Sequence, residues 1–468
     1  MSPLNQNHLP LKRVAIVGAG ISGLGCAYAL QKSSGMHITI FEGGSHIGGH
    51  SNTIDIEVPL KKGSIACSVD TGFLVFNRKT YPRLTRLFEE LKVPLALSEM
   101  SFSVSINQSI EWSGDNINTL FGQRLNLTRP AFWGMVRDII RFNQLATQFA
   151  LQDQNLSHGA NTKNLQSIAS FLDQHRFNKA FREWYFLPMI GAIWSCPIKQ
   201  MMEFPIETMI RFCHNHGLLQ IQNRPQWLTV KGGSKQYVQR ILNAMHPERV
   251  KLIREAVQKI NVPNSDSSDQ RIELISARGV QYFDEVVMAC HSNESLGLLH
   301  GIDEFDRSLL ASIPYQENYA VLHHDASVLP KTRRCWAAWN YKTSAPSSSP
   351  APADSQSVSV DYLINKLQPL PFGLDEQAIV VSLNPLTEPK PETIFAKISY
   401  AHPLFDSKAI AAQKNMSLIQ GKNGIWYCGA WTGYGFHEDG LRSGELVAAD
   451  LVASLHSPLA RPPIQSIS

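Results

Sequence analysis

Residues 14–30 read Val-Ala-Ile-Val-Gly-Ala-Gly-Ile-Ser-Gly-Leu-Gly-Cys-Ala-Tyr-Ala-Leu, and this run limits the fold more than any other part of the chain. The apolar, mostly β-branched residues at 14–17 suit a fully buried parallel strand. Gly18, Gly20 and Gly23 then fall where that strand must turn into a helix. Their spacing predicts a tight turn at Gly18, room for a pyrophosphate at Gly20, and close helix–strand packing at Gly23. Ala19, Ile21 and Ser22 complete a loop that aims the N–H groups of a helix N-terminus at the phosphates. A second strand is predicted over 37–41 and ends in Glu42. That acid stands about 20 residues past the first glycine, the interval expected for the group that takes the ribose hydroxyls. A carboxylate there suits an unphosphorylated ribose, so FAD or NAD is favoured over NADP. A glycine triplet alone is a weak signal. Strand, helix, second strand and acid in register make a strong one.

Two further segments choose between the dinucleotides. Gly48-Gly49-His50 follows the acid closely, which predicts a loop running beside an extended cofactor; an ordinary glycine-rich turn is the alternative. Near the other end, a strand over 425–428 leads into a run rich in glycine and aromatic residues, Gly429 to Gly444. A helix over 440–455 should follow, with Glu438, Asp439 and Gly440 at its start. Such a helix N-terminus would stabilise negative charge on a reduced flavin. FAD is the better reading.

The motifs Val69-Asp-Thr-Gly-Phe-Leu-Val-Phe-Asn77, Leu187-Pro-Met-Ile-Gly-Ala-Ile-Trp-Ser195 and Phe283-Asp-Glu-Val-Val-Met-Ala-Cys-His-Ser292 extend the pattern over nearly the whole chain. Together they resemble the bacterial FAD/NAD(P)-binding oxidoreductases of the flavin amine oxidase and phytoene desaturase superfamily. They are also similar to the flavoprotein-like N-terminal region of plant cyclopropane fatty acid synthases. The resemblance implies an α/β fold: a Rossmann-like FAD-binding domain of the amine oxidase and glutathione reductase type, with a discontinuous α+β substrate domain. The FAD-binding unit would use 11–76, 226–294 and 421–456, and the substrate domain 77–225 and 295–420. Thr71, Gly72 and Phe73, with 431–436, Trp194 and Ser195, are the candidates for the flavin environment. By the same resemblance Val257 would contact the adenine through its backbone. His50 stands where the family pattern has arginine, so a charged contact to the pyrophosphate is not expected from it.

At 468 residues the chain exceeds one ordinary core. A net charge of +4 is too small to argue for nucleic acid. Seven scattered cysteines without CxxC spacing suit reduced thiols in a cytoplasmic protein, and Cys428 is expected to be buried and inert. Residues 343–357 form a Ser/Pro/Ala tract, read as a disordered surface loop. Segments 256–260 and 271–277 read as a hairpin that closes on 283–289. A helix over 130–149 carries Phe132, Trp133 and several arginines near Arg124; it packs in the substrate domain or lies on an anionic inner-membrane surface. His214 with His216, and His323 with His324, lack usable metal-ligand spacing, so no metal is expected. No catalytic base can be assigned; His402 and His437 are candidate polar contacts. Trp194, Trp227, Trp336, Trp339, Tyr341 and Phe436 are candidate pocket aromatics.

Function narrows to an FAD-dependent oxidoreductase taking hydride from an apolar substrate, such as a phospholipid acyl chain. The alternatives are an oxidase of small amines, or a non-catalytic FAD-binding accessory of a lipid-modifying methyltransferase.

Overall fold

The computed structural model describes residues 11–155, 166–194, 198–215, 217, 219, 225–263, 269–343 and 358–456. Trp194 is placed only as the last residue of a helix; Ser195, His216 and most of the 343–357 tract lie outside the described residues.

The run at 14–17 is buried in the strand Lys12–Val17, the middle of a five-stranded parallel sheet. One neighbour is Met36–Phe41, itself flanked by Val250–Ile253; the other is Glu285–Met288, flanked by Ile425–Tyr427. In register, Val14 pairs with Ile38 on one side and Glu285 on the other. Parallel neighbours require crossovers, and here these draw on three separated stretches of chain. The fingerprint helix Ile21–Leu30 crosses from the first strand to the second, and the C-terminal helix His437–His456 packs on it. That contact needs its glycines: a Cβ on Gly444 would lie 2.2 Å from the Ser22 carbonyl oxygen.

Two expectations are corrected. The hairpin of Val257–Asn261 and Ile272–Ser276 forms, but its next strand is Gly279–Phe283. Glu285–Met288 turns away into the parallel sheet one residue later. The C-terminal helix begins at His437, three residues early, because Asp439 accepts the Tyr434 and Phe436 N–H groups just before it.

The remaining chain builds a seven-stranded sheet. Its order is Ile394–Pro403, Tyr315–His323, Val380–Leu383, Val358–Leu363, Trp339–Thr343, Phe102–Ile106 and Ile110–Ser113. Helices Pro130–Asn155, Ile168–Gln174, Leu187–Trp194 and Ile206–Asn215 gather a separate phenylalanine- and methionine-rich core. An antiparallel ribbon, Thr53–Leu60 with Gly63–Asp70, carries the chain from the cradle and back.

Candidate functional site

Gly18 has φ +110°, and a Cβ there would meet the Ala289 carbonyl oxygen at 2.7 Å. Backbone from the neighbouring strand closes that space, so only glycine fits. Gly23 is tighter still, with the Gly18 oxygen 2.0 Å from any added Cβ. Gly20 is the opposite case: it caps the fingerprint helix with no side-chain hydrogen bond, and a Cβ there would meet nothing within 4 Å. An open space before an uncapped helix N-terminus, next to Ile21 and Ser22, is what an anionic phosphate requires.

The second glycine pair lies on the first. Gly48 donates to the Ala19 carbonyl at 2.9 Å and bridges to Gly20, and Gly49 approaches the Gly20 Cα. Glu42 follows the end of the second strand. Its two carboxylate oxygens accept from Ala19 N–H at 2.8 Å and Gly44 N–H at 2.6 Å. A carboxylate accepts about four hydrogen bonds, so it retains capacity for two ribose hydroxyls. Val257 opens the strand next to Ala256, whose Cβ is 3.0 Å from where a side chain on Gly43 would begin. The donor set and the open space fit a dinucleotide.

Following the Gly48-Gly49 pair stands a wall of rings. Phe73 N–H donates to the His50 carbonyl at 2.7 Å, and a Cβ on Gly72 would strike the same oxygen. Thr71 Oγ1 hydrogen-bonds the Asn52 carbonyl and the Tyr400 hydroxyl. Tyr400 stacks on His50, ring centres 5.0 Å apart; His402 lies 5.2 Å from His50, and His291 6.3 Å. His437 stacks on Phe73 at 3.9 Å and meets Ser51 Oγ at 2.8 Å. Burial pushes His437 down to about 3, so its ring is neutral.

Glu438 and Asp439 do other work than expected. Glu438 accepts from Arg83 and Leu84 N–H at 2.9 and 3.0 Å, holding the start of the helix Pro82–Glu90. Asp439 serves the turn before its own helix. Gly429 N–H donates to Ser443 Oγ at 2.9 Å, and Gly440 packs on Ile21 and Ser22. Cys428 is buried, and desolvation holds its thiol protonated. Of the candidate pocket aromatics, Tyr341 is buried against Gly191 and Trp227 belongs to a small three-stranded sheet; Trp431, a candidate for the flavin environment, donates to the Cys290 carbonyl in the core. An apolar slot is lined instead by Phe204, Pro205, Thr208, Met209, Phe405 and Tyr434, with about 10 Å³ of free space.

Residues the sequence did not single out include Tyr400, Asn318 and Asp70. Asp70 is buried, accepts from Ser234 and Gln368, and is raised by desolvation to about 6. Asp70 lies within the quoted Val69–Asn77 motif but its partners Ser234 and Gln368 are distant, and nothing local marks Tyr400, which meets Thr71 from 329 residues away. His323 is buried against Ser382, which meets Asp361; all three are fully enclosed and serve the sheet. No group of three or more His, Cys, Asp or Glu residues could hold a metal among the described residues.

The chain thus has a mixed α/β fold containing a Rossmann-like domain, and residues 16–91 match the model of the NAD(P)-binding Rossmann-like domain family. Among solved structures it is similar to cyclohexylamine oxidase from Brevibacterium oxydans IH-35A: TM-score 0.64, 15% identity, 96% of this chain and 100% of that one. It is also similar to a CLA-producing fatty acid isomerase from P. acnes: TM-score 0.62, 14% identity, 94% and 98% coverage. A 43-residue segment is 51% identical to protoporphyrinogen oxidase 2, chloroplastic/mitochondrial, of Arabidopsis thaliana, covering 9% of this chain and 8% of that protein.

Proposed function

We propose that this chain is an FAD-dependent oxidoreductase whose substrate is a fatty acyl chain. The observation that carries the cofactor reading is the open space at Gly20, before an uncapped helix N-terminus and beside Glu42. Gly18, Ala19, Gly20, Ile21, Ser22 and Gly23 would receive the pyrophosphate, Glu42 the ribose, Val257 the adenine side, and the Gly48-Gly49-His50 loop the middle of the cofactor. Thr71, Gly72 and Phe73 would flank its ring end. The bound flavin would supply the redox step by accepting hydride from the substrate. The protein's part is to exclude water and hold the chain in line.

The lining of the apolar slot favours an apolar group over an amine, since Phe204, Met209 and Phe405 offer no charge; with about 10 Å³ free it must widen to admit a chain. The solved fatty acid isomerase shows that this fold has been used on fatty acids; the amine oxidase shows the competing use. A hydride leaves most easily from a carbon next to a double bond, where the developing positive charge is delocalised, so unsaturated chains should react first.

The exposed stripe of the helix Pro130–Asn155 supports contact with an anionic membrane. Trp133, Arg137, Ile140, Gln144, Gln148 and Leu151 recur along one face, and Trp133, Ile140 and Leu151 are 49%, 47% and 50% exposed. The helix's Asp138 is buried under Arg141, Asn178 and the exposed Arg137, with which it pairs at 3.4 Å, and no other acid lies in that stripe. Phe132, by contrast, belongs to the core, and Arg129 and Arg141 are tied to backbone carbonyls. No described helix is long and apolar enough to cross a membrane.

The test is anaerobic mixing of the yellow protein with vesicles of unsaturated phospholipid, beside a panel of primary amines and polyamines. Bleaching of the flavin band by lipid alone is expected. Bleaching by amines alone would make it an amine oxidase. No bleaching by either would leave an FAD-binding accessory, for which a lipid-modifying methyltransferase is the fitting partner.

A further inference from the structure

We propose that His402 is a hydrogen-bond donor, neutral at physiological pH, which beside His50 takes a carbonyl or carboxylate oxygen of the molecule bound against the cradle. The inference rests on the proposed function for the identity of that molecule, and on the geometry alone for the state of the ring.

The chain of hydrogen bonds behind His402 runs in one direction only. Tyr319 N–H, a backbone group that can only donate, is given to Asn384 Oδ1 at 2.9 Å. Asn384 Nδ2 donates to Asn318 Oδ1 at 2.8 Å. Asn318 Nδ2 then divides its two hydrogens between the Gln316 carbonyl, at 3.1 Å, and His402 Nδ1, at 2.7 Å. Each amide is thereby fixed in one orientation, and Nδ1 must accept. A neutral imidazole that accepts at Nδ1 carries its proton at Nε2. To become charged, the ring would have to place a second N–H against the Asn318 amino group. Burial and the neighbouring His291 oppose the charge as well, lowering the group to about 4.

What this ring faces is equally short of partners. Among the described residues, the buried His50 Nε2 meets no hydrogen-bond partner. Tyr400 stacks on the His50 ring, and Tyr400 is itself fixed through Thr71 and Asn52. Burial and the surrounding histidines hold His50 neutral, and burial lowers His291 too. The cluster therefore offers the His402 Nε2–H among neutral rings, without a fixed positive charge. That selects an oxygen lone pair and gives no special hold on a doubly charged phosphate. It also bars His402 from general acid–base work at neutral pH, since a neutral imidazole is a very weak acid and its basic nitrogen is occupied. Asn318 is the positioning residue.

The oxygen has two sources, the dinucleotide or the substrate, and nitrogen-15 NMR of histidine-labelled, FAD-bound protein separates them. At neutral pH His402, assigned by its loss in His402→Phe, is expected to show a protonated Nε2 and an unprotonated Nδ1. Asn318→Asp should move the proton to Nδ1 and let the ring titrate near neutrality. A wild-type ring protonated at Nδ1, or titrating near neutrality, would overturn the tautomer assignment. Removing FAD shifts the Nε2 signal if the oxygen belongs to the dinucleotide; adding oleate to the FAD-bound protein shifts it if the oxygen belongs to the substrate. Whichever ligand moves the signal should bind His402→Phe about tenfold more weakly. If neither moves it, the oxygen site is refuted. FAD occupancy is read separately from the visible absorbance. A protein that takes up no FAD sinks the proposed function, while the tautomer measurement still stands.

Discussion

The cradle and the ring wall opposite it are built on different principles. The cradle comes from fewer than forty consecutive residues, and its shape is set by atoms that are missing: no Cβ at Gly18, Gly20 or Gly23, and positive φ at Gly48 and Gly49. The wall comes from side chains delivered by distant strands, with Tyr400 and His402 meeting His50, Thr71 and Asn318. Local sequence can specify the first. Only the completed fold can specify the second. The two should therefore fail differently when altered.

The largest effect is expected inside the cradle, where two glycines three residues apart, Gly20 and Gly23, part company. Gly23→Val puts a side chain on the Gly18 carbonyl, 2.0 Å from its first carbon, and backbone cannot yield as a side chain would. Overpacking of this kind costs about 3 kcal/mol or more, so little folded protein should be recovered. Gly20→Val meets open space and has φ −75°, which any residue adopts. It should melt like the FAD-free parent and yet lose FAD by at least about a hundredfold, read by absorbance after gel filtration. A Gly20→Val protein that stays yellow would remove the phosphate from this loop.

Sequence carried the cradle this far for a physical reason. Glycine spacing, a β-branched run and a trailing acid each act on their own neighbourhood, and the strand, turn and helix all agree with them. The C-terminal half was legible as a strand and a helix but not in its contacts. Glu438 read as a cofactor ligand because acids favour helix N-termini; the N-terminus it serves is that of the helix Pro82–Glu90, more than 350 residues away. The aromatic residues misled in the same way, because a buried Tyr341 and a pocket tyrosine look alike along the chain. The relay of Asn384, Asn318 and His402 has no local signal at all.

Asp70 joins the two regions and tests them through pH. It ends the ribbon at the cradle, where its ribbon partner Thr53 donates to it, while Ser234 and Gln368 donate from elsewhere. Desolvation raises it from 3.8 to about 6 in the folded protein. Between those values the folded state binds a proton that the unfolded state has lost. The stability from this group is thus complete below pH about 4 and is lost as pH rises through about 6. The loss is roughly 3 kcal/mol at about 1.4 kcal/mol per unit. Asp70→Asn cannot titrate, so urea unfolding of both proteins across that window should show the parent losing ground by this amount. A constant difference between them would mean that Asp70 keeps an ordinary carboxylate pKa.

A smaller loss is expected at Glu42, where the cradle meets its ligand. Glu42→Ala removes a charged acceptor from the ribose hydroxyls, worth about 1.5–3 kcal/mol, or roughly tenfold or more in FAD affinity. Part of that loss belongs to Ala19 and Gly44, whose N–H groups lose their carboxylate partner. Glu42→Gln separates the contributions, since its one carbonyl oxygen can still accept. FAD titration of the two variants should place Gln between Ala and the parent; equal affinity in all three would dismiss Glu42 as the ribose ligand.

The smallest effect is expected farthest from both regions, on the exposed stripe of Pro130–Asn155. Trp133 and Ile140 are half-exposed, and Trp133 packs on Phe121 and donates to the Leu127 carbonyl, so their replacement by serine should lower melting somewhat but leave the flavin spectrum unchanged. A bilayer sees more. Half-exposed apolar side chains can still bury surface at about 25 cal/mol per Å², and a nearby arginine adds about 1 kcal/mol against anionic lipid. The double variant Trp133→Ser, Ile140→Ser should bind anionic vesicles several-fold more weakly in a flotation assay. Arg137→Gln should weaken binding less, and only at low salt, because charge attraction is screened while apolar burial is not. Neutral vesicles should hold the parent poorly and the variants no better. If the parent floats equally with neutral and anionic vesicles, the arginines have no part in the contact. If it floats with neither, the stripe is only the solvent face of a packed helix, and the acyl substrate must reach the slot without the membrane.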